Sequence, residues 1–257
     1  MRKRLISAFI LLIVYAPIIA LGGNLFKVGI TITAILCYRE IFNLIKKDND
    51  IPIAIEILSY VLTGAIVLSG DYIVQAIAAT FILMFIPLIL YKPKEYSYEV
   101  ASKMTLSALM IGFAFYVLNT VRMDSLHICI YLVLITIFTD TFAFLGGKFL
   151  GKHKLIPRVS PNKTIEGTIC GFIMGSLIPT VYYVTMVDQS EGFFDILIVT
   201  MIYSIFAHIG DLVFSATKRR FNIKDFSNMV PGHGGLLDLF DSLIFICITY
   251  SIISILL

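Results

Sequence analysis

Residues 126–147, LHICIYLVLITIFTDTFAFLGG, contain a single Asp, Glu, Lys or Arg residue, Asp140. A helix needs ~20 apolar residues to cross the ~30 Å hydrocarbon core of a bilayer, and this segment is long enough. The whole chain has the same character, since 58% of its 257 residues are hydrophobic and only 14% are charged. A typical soluble domain is ~25% charged. The composition therefore excludes a soluble enzyme and a disordered chain, and it predicts an all-α integral membrane protein.

The hydropathy pattern predicts about nine transmembrane helices, at residues 5–21, 25–44, 52–69, 72–91, 104–121, 126–147, 166–187, 193–214 and 237–256. The first is interpreted as an uncleaved span, because no small-residue cleavage site follows the basic N-terminus. With a cytoplasmic N-terminus, all of the 20 Lys and Arg residues except Lys27 and Arg122 fall on the cytoplasmic side. Because positive charge collects on that side, we predict a cytoplasmic N-terminus, a C-terminus on the opposite side and a location in the cell membrane.

The two halves of the chain differ in polar content. Residues 1–121 hold the first five spans, and Arg39 and Glu40 are the main polar residues within them. We interpret this pair as an interfacial anchor, with the wall of a functional site as the alternative. Residues 122–257 hold the last four spans and two cytoplasmic loops, 148–165 and 215–236, and are predicted to be the catalytic region. Four single cysteines are interpreted as core residues rather than as disulfides or zinc ligands: Cys37, Cys129, Cys170 and Cys247.

Acidic residues lie beside these two loops at membrane depth. Asp140 is in the sixth span, Asp211 is near the inner end of the eighth, and Asp238 and Asp241 open the ninth. Ionisable groups at this depth normally face a cavity or a partner, so they are candidates for function. Converging carboxylates suit Mg²⁺, which binds one or two of them together with substrate phosphates. We therefore predict that Asp211, Asp238 and Asp241 bind Mg²⁺, on the cytoplasmic side.

Two further segments, residues 140–151 and residues 160–167, carry small and polar residues beside the acidic ones. Asp140, Gly147 and Gly151 share one helix face, and the glycine pair favours helix packing over ligand contact. In residues 160–167, SPNKTIEG, Thr164 can cap the next helix. Alternatively, Ser160 and the backbone amides hold an anion at the helix N-terminus, with Lys163 adding charge, and we favour this second interpretation.

The segment 211–241 is the richest in polar residues. Asp211, Ser215 and Lys218 are spaced to share one helix face, and glycines around His233 let the backbone approach a ligand closely. Basic side chains in this segment would neutralise phosphate charge. The alternative is a solvated basic loop followed by a capping Asp238, which leaves the acidic residues at the membrane boundary unexplained.

This segment resembles the signature of the phosphatidate cytidylyltransferase family, also called CDP-diacylglycerol synthase. The family pattern is Ser-x-x-Lys-Arg, four residues, Lys-Asp, Pro-x-His-Gly-Gly, then Asp-Arg-x-Asp. This chain has Ser215-Ala-Thr-Lys-Arg219, Lys224-Asp225, Pro231-Gly-His-Gly-Gly235 and Asp238-Leu-Phe-Asp241 at the same spacing. Two positions depart from the pattern: Leu239 replaces the usual Arg, which removes a positive charge beside the carboxylates, and Val230 replaces a usual Leu, Ile or Phe.

The resemblance implies transfer of CMP from CTP to phosphatidate, giving CDP-diacylglycerol and pyrophosphate. It implies a Mg²⁺ cofactor and a second cation at the carboxylates, such as monovalent K⁺. It also implies catalytic roles for Asp211, Lys218, His233 and Asp238, and substrate contacts from Asp140, Ser160, Lys163, Thr164, Ser215, Arg219, Lys224, Gly234 and Gly235.

Other functions remain open at the level of sequence. A polyprenol or phytol kinase, or an enzyme that cytidylylates another anionic lipid, would share the same metal and phosphate apparatus. A transporter would place acidic residues near the bilayer midplane between inverted repeats, and the chain shows no such repeat. The net charge of +3 does not indicate nucleic-acid binding, and none is expected. A homodimer is compatible with the helical hairpins, although no residue specifies one.

Overall fold

The computed structural model describes residues 2–232 and 234–256, and most of them are helical. In chain order the elements are α1 (Arg2–Leu21), α2 (Gly23–Lys46), α3 (Ile53–Leu68), a 3₁₀ turn (Gly70–Tyr72), α4 (Ile73–Phe85), α5 (Pro87–Leu90), α6 (Tyr98–Asp124), α7 (Leu126–Phe149), β1 (Lys154–Ile156), β2 (Ser160–Thr164), α8 (Ile165–Met186), α9 (Phe193–Arg220) and α10 (Leu237–Leu256). The predicted spans all coincide with helices, which confirms a helical architecture.

Within the described ranges, seven helical segments are long and apolar enough to cross a membrane: Gly23–Lys46, Gly70–Leu90, Tyr98–Asp124, Leu126–Phe149, Ile165–Met186, Phe193–Arg220 and Leu237–Ser254. Two shorter apolar helices, Phe9–Leu21 and Ile53–Leu68, lie at the first and third predicted spans. The chain is therefore a multi-pass helical membrane protein. The number nine and the orientation of the termini stay predictions.

The loop predicted at 148–165 contains a small β-hairpin that the sequence did not reveal. Strands β1 and β2 pair antiparallel, with Lys154 opposite Thr164 and Ile156 opposite Ser160. The amide of Ile165 also donates to the carbonyl of His153 at 2.9 Å, so the ladder leads directly into α8. Strands of three and five residues are too short for an alternating pattern to be recognised in a sequence.

The chain forms two compact units. Unit 1 comprises Met1–Met123 together with Asp225–Leu239, and unit 2 comprises Asp124–Lys224 together with Phe240–Leu257. Residues 225–239, which include the Pro-x-His-Gly-Gly (PxHGG) motif, thus belong to the same unit as the N-terminal helices, although they are more than a hundred residues away in sequence. The functional division predicted at residues 121 and 122 stays a prediction.

Close packing of α7 on α8 depends on a stripe of small residues. Gly167, Gly171 and Gly175 follow each other at intervals of four on α8, so they share one face. A Cβ on Gly167 would lie 2.6 Å from the carbonyl oxygen of Ala143, and one on Gly171 would lie 2.6 Å from that of Thr139. No hydrophobic force drives helices together within lipid, so their association depends on close packing. Small residues at the interface permit this close approach. Because the Gly167 position also abuts Gly147, the packing interpretation of Gly147 is confirmed.

We expect Gly171→Ala to destabilise the protein by about 1–3 kcal/mol, because the added methyl meets the α7 backbone, which cannot move aside cheaply. Gly64→Ala in α3 is the matched control, since its Cβ would meet only side-chain methyl and methylene groups, of Ile35 at 3.3 Å and of Thr31 at 3.5 Å. Alanine also favours a helix by about 1 kcal/mol over glycine. Thermal unfolding in detergent, followed by helical circular dichroism, should show a lower midpoint for Gly171→Ala alone. Equal unfolding midpoints for Gly171→Ala and Gly64→Ala would contradict the close contact of Gly171 with the α7 backbone.

Candidate active site

Three helices and one strand of unit 2 bring together charged side chains that are far apart in sequence. Asp140 comes from α7, Lys163 from β2, Asp211 from α9 and Asp241 from α10. The ammonium nitrogen of Lys163 is buried and lies 2.6 Å from Oδ2 of Asp211. An ion pair of this kind offsets part of the cost of removing each charge from water. The fold therefore places Lys163, a predicted phosphate-binding residue, against Asp211, a predicted metal-binding residue.

Helix α9 presents its polar face as the spacing predicts. It continues to Arg220, so Ser215 and Lys218 lie on the helix rather than in a loop. The hydroxyl of Ser215 donates to Oδ1 of Asp211 at 3.2 Å. Lys218 is buried, with 8% of its surface exposed. The inner end of α9 thus supplies one carboxylate and one buried ammonium group to the same unit.

Asp140 and Asp241 share a neighbour on α10, Ser242. The hydroxyl of Ser242 donates to Oδ1 of Asp140 at 3.2 Å, and its amide donates to Oδ1 of Asp241 at 2.7 Å. The buried Asp241 carboxyl lies within electrostatic range of the Asp140 and Asp211 carboxyls and of the Lys218 ammonium group. This part of unit 2 therefore combines the carboxyl groups of three aspartates with the ammonium groups of two lysines.

The donor chemistry of this cluster suits Mg²⁺. Across residues 2–232 and 234–256, no three His, Cys, Asp or Glu side chains are already grouped in a way that could hold a metal ion. Mg²⁺ does not require such a group, because it commonly takes one or two carboxylates and completes its octahedron with water and substrate phosphates. The excess of carboxylates over lysines leaves room for added positive charge. Binding of Mg²⁺ at Asp211, Asp238 and Asp241 stays a prediction.

The loop that carries the PxHGG motif belongs to unit 1, and we call residues 225–237 the signature loop. It is pinched by two backbone hydrogen bonds between Val230 and Gly234, at 2.8 and 3.0 Å. Gly232 and Gly234 have φ values of 85° and 109°, which side-chain-bearing residues rarely adopt. Gly232, at the variable position of the motif, and Gly234, its first motif glycine, are therefore needed for the turn itself. His233 lies outside the described residues, so its predicted catalytic role stays a prediction.

Asp238 closes the signature loop from the start of α10. Its Oδ2 accepts hydrogen bonds from the amides of Phe226 at 2.9 Å and Gly235 at 2.8 Å. A carboxylate that accepts two amide bonds is held in one orientation. The predicted catalytic aspartate is therefore fixed by the motif glycine that precedes it.

Glu40 on α2 has a larger role than its sequence context indicated. The interpretation of Glu40 as half of an interfacial anchor pair is wrong, because only 3% of its surface is exposed. Its Oε1 accepts from the hydroxyl of Ser227 at 2.5 Å and the amide of Leu236 at 2.8 Å, and its Oε2 accepts from the amide of Leu237 at 2.8 Å. The neighbouring Arg39 is exposed, as an anchor would be.

The remaining predicted contacts lie on the hairpin and the adjacent loop. Thr164 caps α8 by accepting from the amide of Gly167 at 3.1 Å, so the structure shows the capping alternative for this hydroxyl. Arg219 donates to the carbonyls of Val159 at 3.1 Å and Ile223 at 2.8 Å, which braces the end of α9. Ser160 is half-buried in β2 and Lys224 is exposed. Their substrate contacts stay predictions.

The sequence analysis missed Ser242, and it gave Glu40 a role in a site only as the alternative to an anchor. The stronger signal for Glu40 is that an acidic residue inside an apolar span needs a partner. Ser242 carries no such signal, since serine is common in membrane helices and its contacts with Asp140 are non-local. Ser242 contacts the Asp140 carboxylate, and Glu40 contacts the amides of the signature loop.

Comparison with known proteins agrees with the signature. A model of the Cytidylyltransferase family matches residues 2–256. The chain is 34% identical over 250 residues to a phosphatidate cytidylyltransferase of Staphylococcus haemolyticus (strain JCSC1435), covering 96% of each protein. It is 34% identical to that of Staphylococcus aureus (strain COL) and 33% to that of Staphylococcus epidermidis (strain ATCC 35984), again over 96% of each. The chain belongs to the cytidylyltransferase family.

Proposed function

We propose that the chain is a phosphatidate cytidylyltransferase that transfers CMP from CTP to phosphatidate and releases pyrophosphate. The observation that carries the proposal is the signature from Ser215 to Asp241, which matches the family pattern except at Val230 and Leu239, in a chain whose similar relatives bear that name. The cluster of aspartates and lysines in unit 2 supports it, because both substrates are anionic and need cationic groups and fixed positions.

In the proposed reaction, an oxygen of the phosphatidate phosphate attacks the α-phosphorus of CTP. A new bond forms between that oxygen and phosphorus, and the bond from phosphorus to the β-phosphate oxygen breaks, so pyrophosphate leaves. The attacking phosphate is already ionised near pH 7, and it needs no protein nucleophile. Catalysis then consists mainly of alignment and charge compensation.

Each predicted side chain has a task in this scheme. Lys163, Lys218, Arg219 and Lys224 would bind the triphosphate and the departing pyrophosphate. Asp211, Asp238 and Asp241 would hold Mg²⁺, which when bound would withdraw charge from the phosphate oxygens. Because Asp211 already pairs with Lys163, the lysine would also orient that carboxylate.

The membrane location fits a reaction between a lipid and a nucleotide. Under the predicted topology, the basic loops face the cytoplasm, where CTP is found. The acyl chains of phosphatidate would stay in the bilayer while its headgroup reaches carboxylates at the inner ends of the helices. We infer that the protein lies in the cell membrane with this site facing the cytoplasm.

Purified protein in detergent should release pyrophosphate only when CTP, phosphatidate and Mg²⁺ are all present. A pyrophosphate-release assay with each component omitted in turn measures this directly, and EDTA should abolish the signal. Release that does not require phosphatidate, or phosphoryl transfer to a polyprenol instead, would overturn the proposal. A transporter would show no CTP-dependent release at all.

Replacing Asp238 by Asn should lower kcat by about 100-fold or more, because the change removes a carboxylate that would hold Mg²⁺ against the substrate phosphates. Asp188→Asn is the matched control, since Asp188 lies in the α8–α9 loop and accepts from the amide of Ser190 at 2.8 Å. Both variants should elute as folded protein in gel filtration. Full activity of Asp238→Asn would remove this residue from the site.

Leu239→Arg restores the residue that is usual in the family pattern. We expect activity to be preserved or raised, because the added positive charge lies beside the carboxylates that would meet anionic substrates. The measurement is kcat/KM for CTP at saturating phosphatidate, with Leu239→Gln as the neutral polar control. A collapse with Arg but not with Gln would mean that this site is built differently around position 239.

A further inference from the structure

We propose that Glu40 is a positioning residue of the candidate active site, which holds the signature loop in place and thereby fixes the carboxylate of Asp238. The inference rests on the proposed function, because Asp238 is a reacting-site residue only if that function is right. It concerns α2, a helix that carries none of the motif residues. All of the contacts involved lie within unit 1.

The first step is the set of groups that Glu40 binds. Both carboxylate oxygens are used, and their three donors come from the signature loop and the first residue of α10: Ser227, Leu236 and Leu237. The carboxylate is buried, so these bonds replace its hydration. Bonds of this kind, with an ionised acceptor, are roughly twice as strong as neutral ones.

The second step is the identity of the two amides. Leu236 and Leu237 stand at the start of α10, where amide groups have no partner within the helix. A negative charge at this end also interacts favourably with the helix dipole. Glu40 therefore caps α10 from another helix, in the way that an N-cap side chain does within one.

The third step is the fit between Glu40 and Gly235. A Cβ on Gly235 would lie 2.5 Å from Oε2 of Glu40, so no larger residue fits while the carboxylate is in place. The amide of this same glycine donates to Oδ2 of Asp238. Gly235 thus connects the two carboxylates: its α-carbon faces Glu40 and its amide orients Asp238.

A second tie holds the other end of the turn. The hydroxyl of Ser7 in α1, which is buried, donates to the carbonyl of Pro231 at 2.5 Å. The signature loop is therefore fixed from α1 near Pro231 and from α2 near Leu236. Displacement of a reacting group by about 1 Å can cost 10²-fold in rate, so such ties matter for catalysis.

The test compares Glu40→Gln with Glu56→Gln. Glu56 is a matched control because it is also a paired glutamate in unit 1, with Lys46 at 2.6 Å. Glu40→Gln replaces one accepting oxygen of the carboxylate by an NH₂ group, which donates hydrogen bonds and so cannot accept one from the loop. We expect hydrogen exchange of the backbone at 235–238 to rise about tenfold, kcat to fall roughly tenfold, and KM for CTP and phosphatidate to change less than threefold. Glu56→Gln should match the wild type in all three.

Each outcome decides the matter. Wild-type exchange at 235–238 in a folded Glu40→Gln protein would show that the carboxylate does not hold the loop. Faster exchange with an unchanged kcat would make Glu40 a structural cap and overturn the positioning role. If the wild type itself lacks CTP-dependent pyrophosphate release, the proposed function fails, and the exchange data still report whether Glu40 holds the loop.

A double-mutant cycle tests the same contact in a second way, and its Gly235→Ala arm leaves Glu40 itself unchanged. Gly235→Ala should raise exchange at 236–238 in the wild-type background, because its methyl displaces the Glu40 carboxylate. In the Glu40→Ala background the same change should have little further effect, since the space is open. Residues that act through one contact are non-additive. Additive effects of the two substitutions would contradict the proposed contact.

Discussion

A carboxylate at the depth of a lipid bilayer is costly unless something compensates its charge, and the arrangement of this protein follows from that constraint. Asp211 is paired with Lys163, while Asp140 and Asp241 each accept a hydrogen bond from Ser242. Glu40 uses three donors from the signature loop and α10. Except for the bond between the consecutive residues Ser242 and Asp241 in α10, these pairings join separate elements, so satisfying the acids also fixes the elements that carry them.

The acidic side chains of the two units have different kinds of hydrogen-bond and ion-pair partners. In unit 2 the partners of Asp211 and Asp140 are charged or hydroxyl side chains, which can exchange their contacts for those of a phosphate or a cation, while Asp241 also accepts from the backbone amide of Ser242. In unit 1 the partners of Asp238 and Glu40 are mainly backbone amides, which are fixed by the course of the chain. Unit 1 thus provides a rigid loop, and unit 2 provides the groups suited to binding anions.

Glycine has two distinct roles in this fold. In the stripe from Gly167 to Gly175, the missing side chain allows α7 and α8 to touch, and any small residue would serve less well because the partner is backbone. In the signature loop, Gly234 takes a φ of 109° and Gly235 makes room for a carboxylate. A motif written as two consecutive glycines therefore combines a conformational requirement with a steric one.

The sequence by itself determined the membrane class, the positions of the helices and the signature that marks the family, because apolar runs and motif spacing are local properties. It also predicted the shared face of Asp211, Ser215 and Lys218, since helical periodicity fixes which residues are neighbours. Only the tertiary structure decided that Glu40 caps α10 and that a short hairpin carries Lys163 to Asp211. These contacts join residues from separate elements, and no local pattern encodes which distant group will satisfy a buried charge.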